Sequence, residues 1–356
     1  MAANFLTLKI SDSRFSSYLW GDFSDSQKAI PVKSYNLGTP EESVTFEVCG
    51  NEEIAKPSFF KFIDSLFKVR SYVLILFPLF FILVKNASNT NLDIVSIVFA
   101  TAAMKFLFGG LNIRNDVNDH LSGFDRVNLD LGQKPIRQGW ISARDASRIS
   151  NFCLLAGVLC GMPCVLLNPP LVYVVGSALV LALGGELVKK NSYKNRHIGE
   201  ATLFALTGPL LVSGLQLSCG APLDFEVLSF GILWGAGVLF LIQVNNFAHI
   251  MTSSQHGIQN TMTKLGFDLS QKFLIFCWSV FLFFWTAYQY NFHGDLSGWA
   301  ATFVLYAYSV YLFRQLLHIK SPMGSGLRAV RSLAYKVFFS AVAIMFLQCL
   351  QRLGVS

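Results

Sequence analysis

The chain has 356 residues, of which 53% are hydrophobic and only 14% are charged. Soluble domains carry about 25% charged residues, so this composition and the mean hydropathy of +0.48 exclude a soluble enzyme, a disordered chain and a disulfide-stapled secreted domain. They predict an all-α, polytopic membrane protein. We attribute the net charge of +7 to loops that carry Lys and Arg mainly on one side of the membrane, and we expect no nucleic-acid partner.

The chain begins with a polar stretch and continues with long apolar segments. Residues 1–62 are predicted to be a polar, possibly disordered N-terminal extension, and residues 63–356 a transmembrane domain. A helix that crosses the bilayer core needs roughly 17–25 residues, and about nine segments qualify. They are 70–86, 92–111, 148–166, 170–188, 200–218, 226–247, 271–290, 297–317 and 333–350.

Lys and Arg are distributed unevenly between the two sets of loops. With a cytoplasmic N-terminus, nearly all of them lie on the cytoplasmic side, and only Lys85 and Arg352 lie on the other. Positive charge marks the cytoplasmic side. The N-terminus and the polar loops after every second span are therefore predicted to be cytoplasmic.

The loop after the second predicted span carries the densest group of polar side chains. Residues 109–125 read GGLNIRNDVNDHLSGFD, with four polar residues at spacings of three, four and seven, which share one helix face. These residues and the carboxylate that follows are Asn112, Asn115, Asp116, Asp119 and Asp125. Hard oxygen ligands of this kind suit Mg²⁺. A solvated acidic loop is the alternative, and a calcium loop would need a different ligand spacing.

This motif resembles the first aspartate-rich motif of the UbiA superfamily of intramembrane prenyltransferases, and most closely that of the naphthoate prenyltransferase branch. The resemblance implies that Asn112, Asn115, Asp116, Asp119 and Asp125 hold Mg²⁺ on an isoprenoid diphosphate. It also implies a UbiA-like bundle whose active site opens to the cytoplasmic side.

Further similarity extends over most of residues 65–350. Arg70 and Pro78 match a family Arg and Pro at the first helix, and IGEATLFALTGPLLVSG (198–214) resembles a family glycine motif. KPIRQGWIS (134–142) resembles another stretch, with Lys in place of the usual Arg. By resemblance, diphosphate-binding residues are Lys134, Arg137, Lys189 and Lys190.

The second aspartate-rich motif of the family is altered. The chain reads NNFAHIMTSSQHG at 245–257, where Asn245 and Asn246 are kept, and His249 and Ser253 stand at the two Asp positions. Imidazole is a poor Mg²⁺ ligand. Three hypotheses follow: one Mg²⁺ at the first motif assisted by His249 and nearby cations, His249 as an acid or base, or loss of catalysis.

Two further residues have open interpretations. Lys105 lies two helical turns before Asn112 and either contacts a diphosphate or acceptor carboxylate, or extends along the helix to the interface. His256 is interpreted as a solvated loop residue rather than a ligand.

The resemblance implies a Mg²⁺-dependent transferase that moves a prenyl group from an isoprenoid diphosphate to an aromatic or other lipid-soluble acceptor, within membrane lipid. Its catalytic residues would be Asp116, Asp119, Asn115 and His249. Its diphosphate-binding set would include Lys105, Asn245 and Asn246. The alternatives are a terpene cyclase of the same superfamily and a non-catalytic lipid-binding descendant.

Overall fold

A computed structural model describes residues 4–21, 27–89, 92–127, 134–186, 198–255, 260–322 and 325–354. The chain divides into two compact units, Met1–Val73 with Ala102–Gly161, and Leu74–Thr101 with Met162–Ser356. The predicted boundary after residue 62 stays a prediction.

The secondary structure is a short N-terminal β-sheet followed by helices. The strands are β1 Asn4–Lys9, β2 Gln27–Tyr35 and β3 Ser43–Gly50. The helices of the N-terminal half are α1 Phe15–Trp20, α2 Phe59–Phe67, α3 Val73–Lys85, α4 Ile94–Leu121, α5 Phe124–Val127, α6 Ala143–Leu167 and α7 Leu171–Glu186. Those of the C-terminal half are α8 Ile198–Thr207, α9 Pro209–Ser218, α10 Phe225–Ala248, α11 Ile250–Gln255, α12 Thr261–Phe292, α13 Leu296–His318 and α14 Ser325–Arg352.

The described part of the predicted polar extension forms an antiparallel sheet with strand order β1-β3-β2. Val44 and Phe46 alternate with polar residues along β3, which is the period of a strand with one buried face. They pack with Leu8 of β1 and with Phe15 and Leu19 of α1. The expectations of an all-α chain and of a disordered extension are therefore corrected here, because one apolar face is enough to order short strands.

The first unit also contains a helical core. Leu66 of α2, Ile113 and Val117 of α4, and Ala143 and Ala146 of α6 belong to one buried cluster. Ile113 and Val117 lie four residues apart and so share one face of α4. The neighbouring polar positions of α4 are thereby held in a fixed rotation about the helix axis.

In the second unit, α10 packs against α8, α9, α12 and α14. Close approach of α10 requires glycine: a Cβ on Gly208 would lie 2.5 Å from the carbonyl oxygen of Gly231. At Gly208 the predicted span 200–218 breaks into α8 and α9, and Pro209 begins the second helix. Aromatic rings fill the interior, and the rings of Phe81 and Phe230 are stacked.

Six of the described helices, and α8 with α9 taken together as Glu200–Ser218, give seven candidates long and apolar enough to cross a membrane, and the pair Phe59–Phe67 and Val69–Lys85, bent by 52°, would make eight. The chain is thus a multi-pass membrane protein. Each predicted span corresponds to a helix or helix pair, but the count of about nine stays a prediction, because α7 has only 16 residues in the described part.

Candidate active site

The first aspartate-rich motif lies on the last turns of α4, a continuous helix of 28 residues. The predicted helix over the motif is therefore present, and the spacing puts Asn112, Asn115, Asp116 and Asp119 on one side. Asp116 is 4% exposed. The amide of Asn115 donates a hydrogen bond to Asp119 Oδ2 at 3.3 Å, which orients that carboxylate.

A left-handed glycine brings the next carboxylate back to this side. Gly123 has φ +82°, and a Cβ there would lie 2.4 Å from Leu37 and 2.6 Å from the guanidinium of Arg126. The chain reverses at this glycine and α5 begins at Phe124. Asp125 is then 1% exposed. The turn, and not helical spacing, adds Asp125 to the group.

Three carboxylates converge on the ammonium of Lys134. Its Nζ lies 3.1 Å from Asp116, 3.0 Å from Asp119 and 2.7 Å from Asp125. Burial would lower the pKa of Lys134, but the three carboxylates outweigh burial and raise this pKa above its usual range. Burial raises the pKa of Asp125 to about 6, although Lys134 partly offsets that effect. We call this group the aspartate cluster: Asp116, Asp119, Asp125 and Lys134.

A second ammonium reaches the aspartate cluster from a position outside the site residues predicted from the sequence. Lys68 ends α2 with φ +52° and lies 2.9 Å from Asp116. Arg70, the residue suggested by resemblance, is 94% exposed and lies 3.8 Å from Asp64. The left-handed backbone at Lys68 decides which of these two side chains reaches Asp116. The helical pattern of the sequence does not show such a residue, so it does not distinguish Lys68 from Arg70.

The N-terminal sheet and the residue before β3 contact the two chain segments that carry Asp125 and Lys134. Arg126, next to Asp125, lies 3.2 Å from Glu42, and its guanidinium also donates to the hydroxyl of Ser34. Lys28 of β2 donates to the carbonyl of Gly139 at 2.7 Å, in the turn that follows Lys134. The sheet therefore contacts the residues that flank Asp125 and Lys134.

Three further predicted site residues belong to the first unit. Asn112 shares the face of Asp116, and its Nδ2 is buried without a hydrogen-bond partner in the described part of the chain. Lys105 is exposed, and no described carboxylate lies within 4 Å of its ammonium. Arg137 is half-buried. Lys189, Lys190 and His256 lie outside the described residues.

The altered second motif lies in the second unit, where α10 ends at Ala248 and α11 begins at Ile250. The sequence spacing of Asn245, His249 and Ser253, at i, i+4 and i+8, predicts one shared helix face, but His249 occupies the break and the helix is interrupted there. His249 Nε2 lies 3.2 Å from Arg331 Nη1. Because guanidinium groups only donate, Nε2 is the acceptor in this contact. Ser253 is buried.

A cavity of about 580 Å³ lies beside this break. Asn245 lines it from α10, and the remaining lining comes from one side of α14. The polar and cationic members of that side are Arg328, Arg331, Ser332, Tyr335 and Lys336. Asn246 is half-buried and its carbonyl accepts the backbone N–H of His249 at 3.3 Å.

The aspartate cluster has the donor chemistry of a divalent-cation site. Asp125 Oδ2 is buried without a hydrogen-bond partner among the described residues, so one acceptor points at no donor. As they stand, the described residues contain no group of three or more His, Cys, Asp or Glu that could hold a metal. The ammonium of Lys134 takes the point where the carboxylates meet, and a metal would replace it there. The residues therefore fit a hard cation such as Mg²⁺.

Comparison with known proteins gives structural matches only. No protein-family model matches the chain, and no curated protein sequence matches it. The structure reported for digeranylgeranylglyceryl phosphate synthase in membranes superposes with a TM-score of 0.56 at 15% identity, covering 82% of this chain and 99% of that one.

Two structures of a UbiA homologue from Archaeoglobus fulgidus also match. The form bound to GPP and Mg²⁺ has a TM-score of 0.53 at 13% identity and covers 80% of this chain and 99% of its own. The form bound to DMAPP and Mg²⁺ has a TM-score of 0.54 at 13% identity, with 80% and 98% covered. The naphthoate branch is not among these matches. By its structure, this chain has the fold of the UbiA homologues.

Proposed function

We propose that this chain is a Mg²⁺-dependent intramembrane prenyltransferase that uses an isoprenoid diphosphate as donor. The observation that carries the proposal is the aspartate cluster, in which three carboxylates lie within 3.1 Å of one cationic nitrogen. Two buried carboxylates and one partly buried carboxylate, at or just after the end of a membrane-length helix, are costly unless a cation compensates them. The shared fold with homologues that bind prenyl diphosphates and Mg²⁺ supports the same interpretation.

Asp116, Asp119 and Asp125 would hold the metal, with Asn112 and Asn115 beside them. A bound Mg²⁺ would supply positive charge that stabilises the departing diphosphate. Asn115 keeps the Asp119 carboxylate in place through its 3.3 Å hydrogen bond. The ammonium groups of Lys68 and Lys134, which now neutralise these carboxylates, add positive charge next to a diphosphate bound there.

The reaction is a substitution at the first carbon of the prenyl chain. The C–O bond breaks and its electron pair leaves with the diphosphate, so an allylic cation remains. A carbon of the acceptor forms the new C–C bond and gives up a proton. An apolar, water-poor interior favours this outcome because water would otherwise capture the cation.

The finer assignments rest on sequence. An aromatic or other lipid-soluble acceptor, of the naphthoate type, is supported by the N-x-x-N-D-x-x-D spacing of residues 112–119. A cytoplasmic N-terminus and cytoplasmic polar loops are supported by the uneven distribution of Lys and Arg. A transmembrane domain that starts near residue 63, with about nine spans, is supported by the length of the apolar segments.

Radiolabelled prenyl diphosphates of several lengths, incubated with the purified protein and Mg²⁺, test the proposal. Each donor is supplied with and without a dihydroxynaphthoate or hydroxybenzoate acceptor. Asp119→Asn should remove product formation, whereas Asn118→Ala, at an exposed position one residue earlier, should retain it. Prenylated acceptor supports the transferase. A cyclic hydrocarbon formed without acceptor would establish the cyclase instead, and absence of turnover with every donor would favour a lipid-binding protein.

A further inference from the structure

The cavity beside His249 contains an excess of positive charge. Arg328, Arg331 and Lys336 line it from α14. Arg328 and Arg331 are three residues apart on that helix, and Ser332 lies four residues from both Arg328 and Lys336, so these side chains are neighbours along the lining. Among the described residues, no carboxylate lies within 4 Å of these three cationic groups, whereas Lys134 and Lys68 each have one within 3 Å. Three cations that share a cavity without an acid repel one another, and an anion would relieve that repulsion.

The remaining lining is suited to phosphate oxygens. Asn245 supplies an amide from α10, and Tyr335 supplies a hydroxyl next to Arg331. Arg331 is half-buried, whereas Arg328 and Lys336 are exposed, so Arg331 is the least solvated of the three cations. Guanidinium and amide donors in one pocket match the geometry of phosphate groups.

The identity of residue 249 decides whether Arg331 keeps its charge for a ligand. A carboxylate at this position would lie close to Arg331 and neutralise it. His249 instead accepts a hydrogen bond from Arg331 at 3.2 Å, and an imidazole brings no negative charge. It orients the guanidinium and leaves its positive charge in the cavity. The absence of acidic residues from this motif and the presence of Arg331 beside it therefore have one common effect, which is to keep positive charge in the cavity.

We propose that this cavity is a metal-independent site for a phosphate-type anion, in which Arg331, Arg328 and Lys336 bind the phosphate oxygens. The site depends only on the residues of α10 and α14, and it is independent of the aspartate cluster. The same phosphate chemistry is also present in the headgroups of anionic lipids.

Metal-free binding of inorganic pyrophosphate is the direct test. The full chain is reconstituted in nanodiscs of phosphatidylcholine with EDTA, and binding is measured by calorimetry. Arg331→Met should weaken binding by about tenfold, since one charge-assisted contact is lost. Lys336→Met should weaken it less. The matched control is Lys320→Met, which removes one exposed cation outside the cavity.

His249→Asp extends the test, because the new carboxylate should neutralise Arg331. We expect it to abolish pyrophosphate binding in EDTA and to allow binding again when Mg²⁺ is added. Size-exclusion profiles and melting temperatures are compared for all variants. If Arg331→Met fails to fold, the exposed Lys336→Met and Arg328→Met variants decide the outcome.

Several results would overturn the proposal. Wild-type affinity in Arg328→Met, Arg331→Met and Lys336→Met would do so, even if Mg²⁺-dependent prenyl transfer is observed, and then only the site assignment fails. Pyrophosphate binding that depends on Arg331 in a protein without prenyl transfer would keep the site and remove the proposed function. Absence of pyrophosphate binding in neutral discs, together with binding of phosphatidylglycerol that Arg331→Met abolishes, would assign the cavity to a lipid headgroup.

Discussion

Arg126 and Glu42 form an ion pair of 3.2 Å in which the arginine side chain is only 1% exposed. The pair joins the turn that carries Asp125 to the residue that precedes β3. It ties the N-terminal sheet to that turn. It also makes the geometry of the aspartate cluster depend on residues more than 80 positions earlier in the chain.

Glu42→Gln should destabilise the protein by about 3 kcal/mol, because it leaves the buried guanidinium of Arg126 without a counter-charge. We expect a melting temperature several degrees lower in detergent and a weaker stabilisation by Mg²⁺, since Asp125 is no longer held. Glu41→Gln, at the neighbouring exposed position, is the control. Equal melting temperatures for the two variants would show that the ion pair does not anchor the turn.

Replacing either α4 carboxylate should abolish turnover while the protein is still expressed. Asp116→Ala and Asp119→Ala each remove a hard oxygen ligand from the proposed metal site. The assay is prenyl transfer at limiting Mg²⁺, with Asp145→Ala, at an exposed position on α6, as the control. Full activity in either α4 variant would mean that the cluster is not the metal site.

The pH dependence of stability should report on Asp125. Burial raises the pKa of this carboxyl from 3.8 to about 6 in the folded state. The folded state then binds its proton more tightly than the unfolded state, so this group stabilises at low pH and the stabilisation is lost as the pH rises through about 6. The melting temperature of Asp125→Asn relative to the wild type should therefore increase between pH about 4 and about 6.

This measurement is made without metal, so that only protons compete for the carboxylates. Asp145→Asn serves as a control for the loss of one exposed carboxyl group. A difference between Asp125→Asn and the wild type that is constant, or that decreases, over this range would contradict the assignment of a raised pKa to Asp125.

The altered second motif should give a Mg²⁺ dependence with a Hill coefficient of about one, because the two carboxylates of a second metal site are absent. His249→Ala should lower activity more than His256→Ala, since His249 contacts Arg331. The double change His249→Asp, Ser253→Asp should restore a cooperative response to Mg²⁺. Cooperativity in the unmutated protein would show that a second metal binds through other ligands.

The two ends of the chain should lie on opposite sides of the membrane. Lys and Arg are concentrated on alternate loops, which predicts a cytoplasmic N-terminus and a C-terminus on the other side. Cysteine-accessibility labelling of tags placed before residue 1 and after residue 356 measures this. Labelling of both tags from the same side would exclude an odd number of spans.

The sequence by itself determined the features that depend on local periodicity. Apolar segments long enough to span the bilayer predicted the membrane helices, and the 3.6-residue period predicted that Asn112 to Asp119 share one face of α4. The resemblance to the UbiA superfamily predicted the fold that the comparisons support. Alternation in β3, with Val44 and Phe46 on one side, was also present in the sequence, but it is short and lies in a polar context.

Only the tertiary structure decided which distant residues meet. Lys68 rather than Arg70 reaches Asp116, because a left-handed residue ends α2. Arg331 meets His249 although 82 positions separate them in sequence. Backbone turns and helix packing select such partners, and neither leaves a periodic signal. The positions of acids follow from the motif, whereas the cations that neutralise them are set by the fold.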